Sequence, residues 1–296
     1  MQTFNTPQPI SVTISLVVGD VWISASDRSD TVVGVGPSDK SNESDIKAAE
    51  LTRVEYSNGT LLVKAPKQRF GPFSFGKVGS IDVSIELPAG SQVQGDSGVA
   101  DFRCVGRLGE SRFTTGTGNI RLEHTGQLSL NTGTGSVAVD RAVGRTEVTG
   151  AGDIRIGEVD GSAVIKNLNG DTWLGEITGD LRCKAANGNI TVDSAHATVV
   201  AKTANGDVRL GDVARGSVVL ETSFGELEVG IRKGTSALLD VSSKFGSVLN
   251  SLAASDAPGP SDQTVEVRAR TSFGDIIVRR SDLQSSQENT HGRKEE

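Results

Sequence analysis

Glycines recur through the later two-thirds of this chain at intervals of 17, 17, 18, 18, 18, 19, 21 and 28 residues, and each opens the same short pattern. The pattern is Gly, a small polar or acidic residue, then alternating apolar positions. Clear copies are Gly118-Asn119-Ile120-Arg121-Leu122, Gly135-Ser136-Val137-Ala138-Val139, Gly152-Asp153-Ile154-Arg155-Ile156 and Gly170-Asp171-Thr172-Trp173-Leu174. Gly188-Asn189-Ile190-Thr191-Val192 and Gly206-Asp207-Val208-Arg209-Leu210 continue the series, and looser copies begin at Gly225, Gly246 and Gly274. Eight or nine residues before most of these anchors stands another glycine (Gly109, Gly126, Gly144, Gly161, Gly179 and Gly216), usually followed by a second alternating run. One repeat is therefore two short strands and two corners.

A period of this length is too short for a domain and too regular for a loop. A single two-strand coil cannot bury its apolar edge, whereas stacked coils share one continuous core. Side chains alternate faces along a strand, so the first and third residues of each run point inward. The expected fold is all-β: a right-handed parallel β-solenoid of 17–18-residue coils over residues 95–280. Residues 1–94 are expected to form an irregular β-rich cap continuous with it, and residues 281–296 a disordered polar tail. Within the cap, residues 44–54 predict a short helix with Ser44 as its cap.

Equivalent positions carry ladders. Three residues before successive anchors stand Thr115, Thr132, Thr149, Asn167, Ala185, Thr203, Thr222, Ser243 and Thr271. Immediately before them stand Asn169, Asn187 and Asn205, and then Phe224, Phe245 and Phe273. Like-with-like stacking at corners accounts for both. Composition agrees: 36 glycines suit many corners, and 9 Phe, 2 Trp and 1 Tyr suit a thin aliphatic core.

The chemistry that glycine-rich sequences invite is not completed. Thr115-Gly116-Thr117-Gly118 and Thr132-Gly133-Thr134-Gly135-Ser136 lack the third glycine or Lys-Ser/Thr ending of a phosphate loop and open no helix. No nucleophile elbow is present, and His124 and His196 have no evident partner in sequence. Cys104 and Cys183 fit no metal spacing and read as buried thiols of a reducing compartment. Asp153 and Asp171 fall about 5 Å apart on adjacent coils, a separation usable by a retaining glycosidase. The same position is Asn119, Ser136 and Asn189 elsewhere, so turn chemistry explains it better. No catalytic residue, metal or cofactor is expected.

Two surface features depart from the repeat. Lys166, Lys184 and Lys202 share an outward position on three successive coils, and Trp173 lies one coil from Arg155, within reach of a cation–π contact. Residues 64–77 mix Lys67, Arg69, Phe70, Phe73, Phe75 and Lys77 around two prolines, the composition of an interaction loop. The net charge of −7 argues against nucleic-acid binding. No stretch is long and apolar enough to span a membrane, and the amino terminus lacks a signal-peptide pattern, so a cytoplasmic location is expected, with a non-classical route to the cell surface as the alternative.

Pro9-Ile10-Ser11-Val12-Thr13-Ile14, Val54-Glu55-Tyr56-Ser57-Asn58-Gly59, Lys202 to Leu210 and Arg270 to Ile276 together resemble the bacterial β-strand-repeat family of putative adhesins, a domain of unknown function, above all its actinobacterial members. The resemblance implies a solenoid and brings no catalytic residues. The expected function is a non-enzymatic scaffold presenting an extended face to a protein or polysaccharide, as a monomer or weak oligomer. The alternatives are a self-assembling filament and a carbohydrate-active enzyme using Asp153, Asp171 or Asp207.

Overall fold

The computed structural model describes residues 1–66, 78–252 and 263–281. Lys67, Arg69, Phe70, Phe73 and Phe75 lie outside the described residues, as does all of the polar tail after Ser281. The described chain is mainly strand with one short helix, and it divides into two compact units, Met1–Thr172 and Trp173–Glu296.

The first unit opens with β1 (Gln2–Asn5), β2 (Ser11–Ser15), β3 (Gly19–Ser26) and β4 (Asp30–Pro37). A helix, α1 (Glu43–Glu50), precedes β5 (Arg53–Ser57), β6 (Thr60–Lys64), β7 (Ile81–Pro88) and β8 (Gln92–Val99). Regular coils follow in β9 (Phe102–Arg107), β10 (Ser111–Thr117), β11 (Ile120–Thr125) and β12 (Leu128–Thr134). They continue in β13 (Val137–Val143), β14 (Thr146–Gly150), β15 (Ile154–Asp160) and β16 (Ala163–Asn169). One sheet has the order β1-β4-β7-β3-β9-β11-β13-β15, and the facing sheet β5-β6-β2-β8-β10-β12-β14-β16. Successive coils pair in parallel; only β1 with β4, β4 with β7 and β5 with β6 are antiparallel among the described residues of this unit.

The second unit comprises β17 (Thr172–Ile177), β18 (Leu181–Asn187), β19 (Ile190–Ala195), β20 (Val199–Lys202), β21 (Val208–Val213) and β22 (Gly216–Phe224). It ends with β23 (Leu227–Ile231), β24 (Thr235–Phe245), β25 (Val248–Asn250), β26 (Gln263–Phe273) and β27 (Ile276–Arg280). Its sheets run β17-β19-β21-β23-β27-β25 and β18-β20-β22-β26-β24. This is a parallel β-solenoid.

The core follows the alternation. Ile120 and Leu122, Val137 and Val139, Ile154 and Ile156, Ile190 and Val192, and Val208 and Leu210 are all buried. Each such side chain contributes roughly 1.5–3 kcal/mol by leaving water. Coil order, however, is not chain order. The last coil in sequence, β26 and β27, is inserted between β22–β23 and β24–β25. Phe273 consequently stacks between Phe224 and Phe245, at 4.9 and 4.8 Å between centroids. The coil of β2 and β3 likewise lies inside that of β6 and β7. Strand pairing can satisfy backbone groups in either order, so local sequence does not specify which coil is outermost.

The threonine ladder is built on hydrogen bonds to the neighbouring coil. Thr132, Thr203, Thr222 and Thr271 donate their hydroxyls to the carbonyls of Gly118, Gly188, Gly206 and Gly225, at 3.2, 3.2, 2.9 and 3.1 Å. Asn167 donates Nδ2 to Gly152 in the same way at 3.0 Å. Thr149 is not a rung. It pairs with Asn131 and Lys166, and Gly150 stands opposite Asn167, because its coil is one residue shorter. The helix also differs from expectation: Asn42 is its cap, accepting the Ser44 N–H at 2.9 Å, and it ends at Glu50. Among the described residues no helix is long and apolar enough to cross a membrane.

Candidate functional site

Outward positions of the first unit's β4-β7-β3-β9-β11 sheet form one row across the strands. Gly34 faces Ser84, Ser84 faces Trp22, Trp22 faces Arg103, and Arg103 faces Arg121. Strand alternation puts Trp22 outside while Val21 and Ile23 fill the core. Trp22 is 47% exposed, and the Arg103 guanidinium sits 4.7 Å from the ring centroid. A cation over an indole gains about 0.5–2 kcal/mol and holds both groups in place.

Beside this pair the surface sinks into a cleft of about 730 Å³, with Val35, Pro37, Lys40, Phe102 and Arg121 among its walls. That volume is in the range of ligand clefts. Gly34 keeps the row low at one side: a Cβ there would meet Ser84 Oγ at 2.5 Å. Asp20, Asp82 and Asp101 form a second row along the cleft. Their carboxylates are already engaged. Asp20 accepts the Asp101 N–H at 3.2 Å, Asp101 accepts that of Asn119 at 2.7 Å, and Ser38 donates its hydroxyl to Asp82 at 2.5 Å.

The same device recurs at two of the post-glycine acids that the catalytic alternative would use, Asp153 and Asp207. Asp153 accepts the Asp171 N–H at 3.1 Å, and Asp207 accepts that of Glu226 at 2.8 Å. Asn119 and Asn189 accept from Ser136 and Asp207 at 2.9 and 2.8 Å. These side chains tie one coil's corner to the next, which is why Asp and Asn interchange there. Turn preference alone does not capture that function.

The other sequence candidates are spread over the two units. Arg155 is exposed on β15 opposite Ala138, and Trp173 is half-buried on β17 of the second unit. Lys166 is exposed opposite Thr149. In the second unit Lys184 and Lys202 stand in register, and Lys202 Nζ meets Glu221 of the following coil at 2.7 Å. That carboxylate offsets the like-charge contact expected of the lysine row. His196 has a partner after all, Glu176 at 3.0 Å. Cys104 and Cys183 are buried free thiols; burial raises the pKa of both, to about 12 for Cys183. Neither is a nucleophile at neutral pH. Among the described residues no group of three or more His, Cys, Asp or Glu could hold a metal ion.

Trp22 and Arg103 were not singled out from sequence, although Trp22 follows Gly19 at the spacing with which Trp173 follows Gly170. Arg103 lies far along the chain and reaches Trp22 only because β9 pairs with β3.

No curated protein matches this chain. Among solved structures, a putative cell adhesion protein from Clostridium sporogenes is 12% identical, with 94% of this chain and 98% of that one covered and a TM-score of 0.24. A putative adhesin from Bacteroides fragilis is also 12% identical, over 94% and 95% of the two chains, with a TM-score of 0.35. One from Parabacteroides distasonis is 12% identical over 93% and 95%, with a TM-score of 0.33. The profile of the Toastrack DUF4097 family matches residues 10–293, nearly the whole chain. The chain therefore belongs to the Toastrack DUF4097 family.

Proposed function

We propose that this protein is a non-enzymatic binding scaffold that takes a protein or polysaccharide partner on its outward strand faces, with the Trp22 cleft as the principal contact. The observation that carries this reading is Trp22, half exposed and braced by Arg103 beside a cleft of about 730 Å³. A half-exposed indole held rigid by a cation offers a large contact area at little entropic cost, the property of interface anchors. The adhesin-like family resemblance read from the sequence is consistent with such a role. Arg155, Lys166, Trp173, Lys184 and Lys202 are proposed as secondary contacts along the same kind of surface, with Lys202 already partnered by Glu221.

A glycan and membrane-component array probed with purified protein tests this. Trp22→Ala and Arg103→Ala are expected to weaken the captured ligand by about tenfold or more, in line with losses of 1–2 kcal/mol at interface anchors. Binding that both variants retain in full would move the site elsewhere.

A further inference from the structure

The two units finish differently at their outer edges. In the first, the facing sheets end in the antiparallel strands β1 and β5, and Phe4 of one meets Tyr56 of the other at 5.3 Å between centroids. An aromatic pair thus closes the space between the sheets. In the second unit the outermost coil is β24 and β25, and each pairs on one side only among the described residues. Its inward positions are incompletely covered: Val248 is 44% exposed, whereas Ile276 in register with it is fully buried. Leu239 and Val241 are half-buried, while their neighbours Val267 and Ala269 are fully buried. Leu238 and Phe245 add exposures of 70% and 65%.

We propose that this edge is the interface of a two-fold dimer, in which β24 pairs antiparallel with β24 of a second copy. The unpaired backbone groups can be assigned. In the regular coils inward residues send their N–H groups to the next coil, as Ser111 does to Gln127 and Thr203 to Glu221. The residue before the anchor glycine instead turns its carbonyl to the preceding coil, as Phe245 does to the Gly274 N–H. By that pattern Ala237, Leu239, Val241 and Ser243 direct their backbone groups to the open side of β24, an 11-residue strand and so a template for pairing. Charge selects the register. A two-fold axis at Asp240 would oppose two carboxylates, whereas an axis at Ser242 sets Asp240 against Lys244 of the second copy, twice. It also brings Leu239 over Phe245 of the second copy.

Composition argues against the adjoining chain as the occupant: residues 253–262 and 282–296 contain a single large apolar side chain, Leu283. A two-fold contact uses the same edge on both copies, so association stops at two copies instead of growing into a filament.

Light scattering on the full chain from low to high micromolar concentration tests the proposal. The expected result is twice the chain mass, falling to one chain mass in Leu239→Lys. Because Leu239→Lys can also perturb folding, a second variant reads the register directly. Ser242→Cys, treated with a short bismaleimide, is expected to give a covalent dimer, while Ser57→Cys on β5 is not. The native cysteines are buried and do not compete. A single chain mass at all concentrations, or Ser57→Cys crosslinking as efficiently as Ser242→Cys, would overturn it.

Discussion

Replacing Gly206 by alanine should damage the coil stack far more than an ordinary loop substitution. Gly206 has φ of +140°, a conformation costing a residue with a Cβ about 1–3 kcal/mol. A Cβ there would also lie 2.2 Å from the Gly188 carbonyl oxygen of the adjacent coil. Normal contact demands a separation greater by about 1 Å, which backbone alone must supply. The hydrogen bonds at risk are Gly206 N–H to Phe224 and Thr222 hydroxyl to Gly206, at 2.8 and 2.9 Å, each worth about 1 kcal/mol. Strain and lost bonds together reach about 3–5 kcal/mol, a large share of the 5–15 kcal/mol typical of folded proteins. Gly144→Ala is the internal control, because φ is +98° there but a Cβ meets nothing within 4 Å. Urea unfolding followed by circular dichroism should show Gly144→Ala losing only the strain, about 1–3 kcal/mol. Equal losses in the two variants, or a Gly206→Ala loss below about 1 kcal/mol, would refute the close-stacked corner.

Asp207→Asn should preserve stability, because the amide oxygen can still accept the Glu226 N–H, whereas Asp207→Ala should lose about 0.5–1.5 kcal/mol in urea melts. Native protein should resist alkylation at Cys104 and Cys183 and become reactive only on unfolding, as mass spectrometry would show. The raised Cys183 pKa also fixes a pH dependence. Its folded value, about 12, exceeds the unfolded value of 9.0, so the stabilisation is complete below pH 9 and is lost as pH rises toward 12. Cys183 should contribute a fall of about 1.4 kcal/mol per pH unit in that window, and Cys183→Ala should remove this contribution.

The repeat was legible because its cause is local. A glycine corner and a two-residue alternation can be recognised without knowing what lies beside them, and Ile120, Leu122, Val208 and Leu210 fall inward as expected. Neighbour identity was not legible to the same degree. Phe224, Phe245 and Phe273 were seen as one ladder, but Phe273 is the middle ring, since the coil after residue 262 turns back between two earlier ones. The 28-residue interval before Gly274 was the visible trace of that insertion. Trp22 and Arg103 were obscured for the same reason, being brought together by a pairing across most of the first unit. By contrast, the partner of Lys202 stood one repeat further on, at Glu221, where the period alone could have found it. Thr149 shows the limit of counting back from an anchor: one residue missing from a coil moves the rung to Gly150.

The protein has two tryptophans, so Trp173→Phe leaves Trp22 as the single indole reporter. Titrating that variant with a ligand captured on the array, and following indole fluorescence, tests directly whether the partner is held at the Trp22 cleft. A saturating change in Trp22 emission that disappears with Arg103→Ala is the predicted result. Undiminished ligand capture with Trp22 emission unchanged would contradict the account.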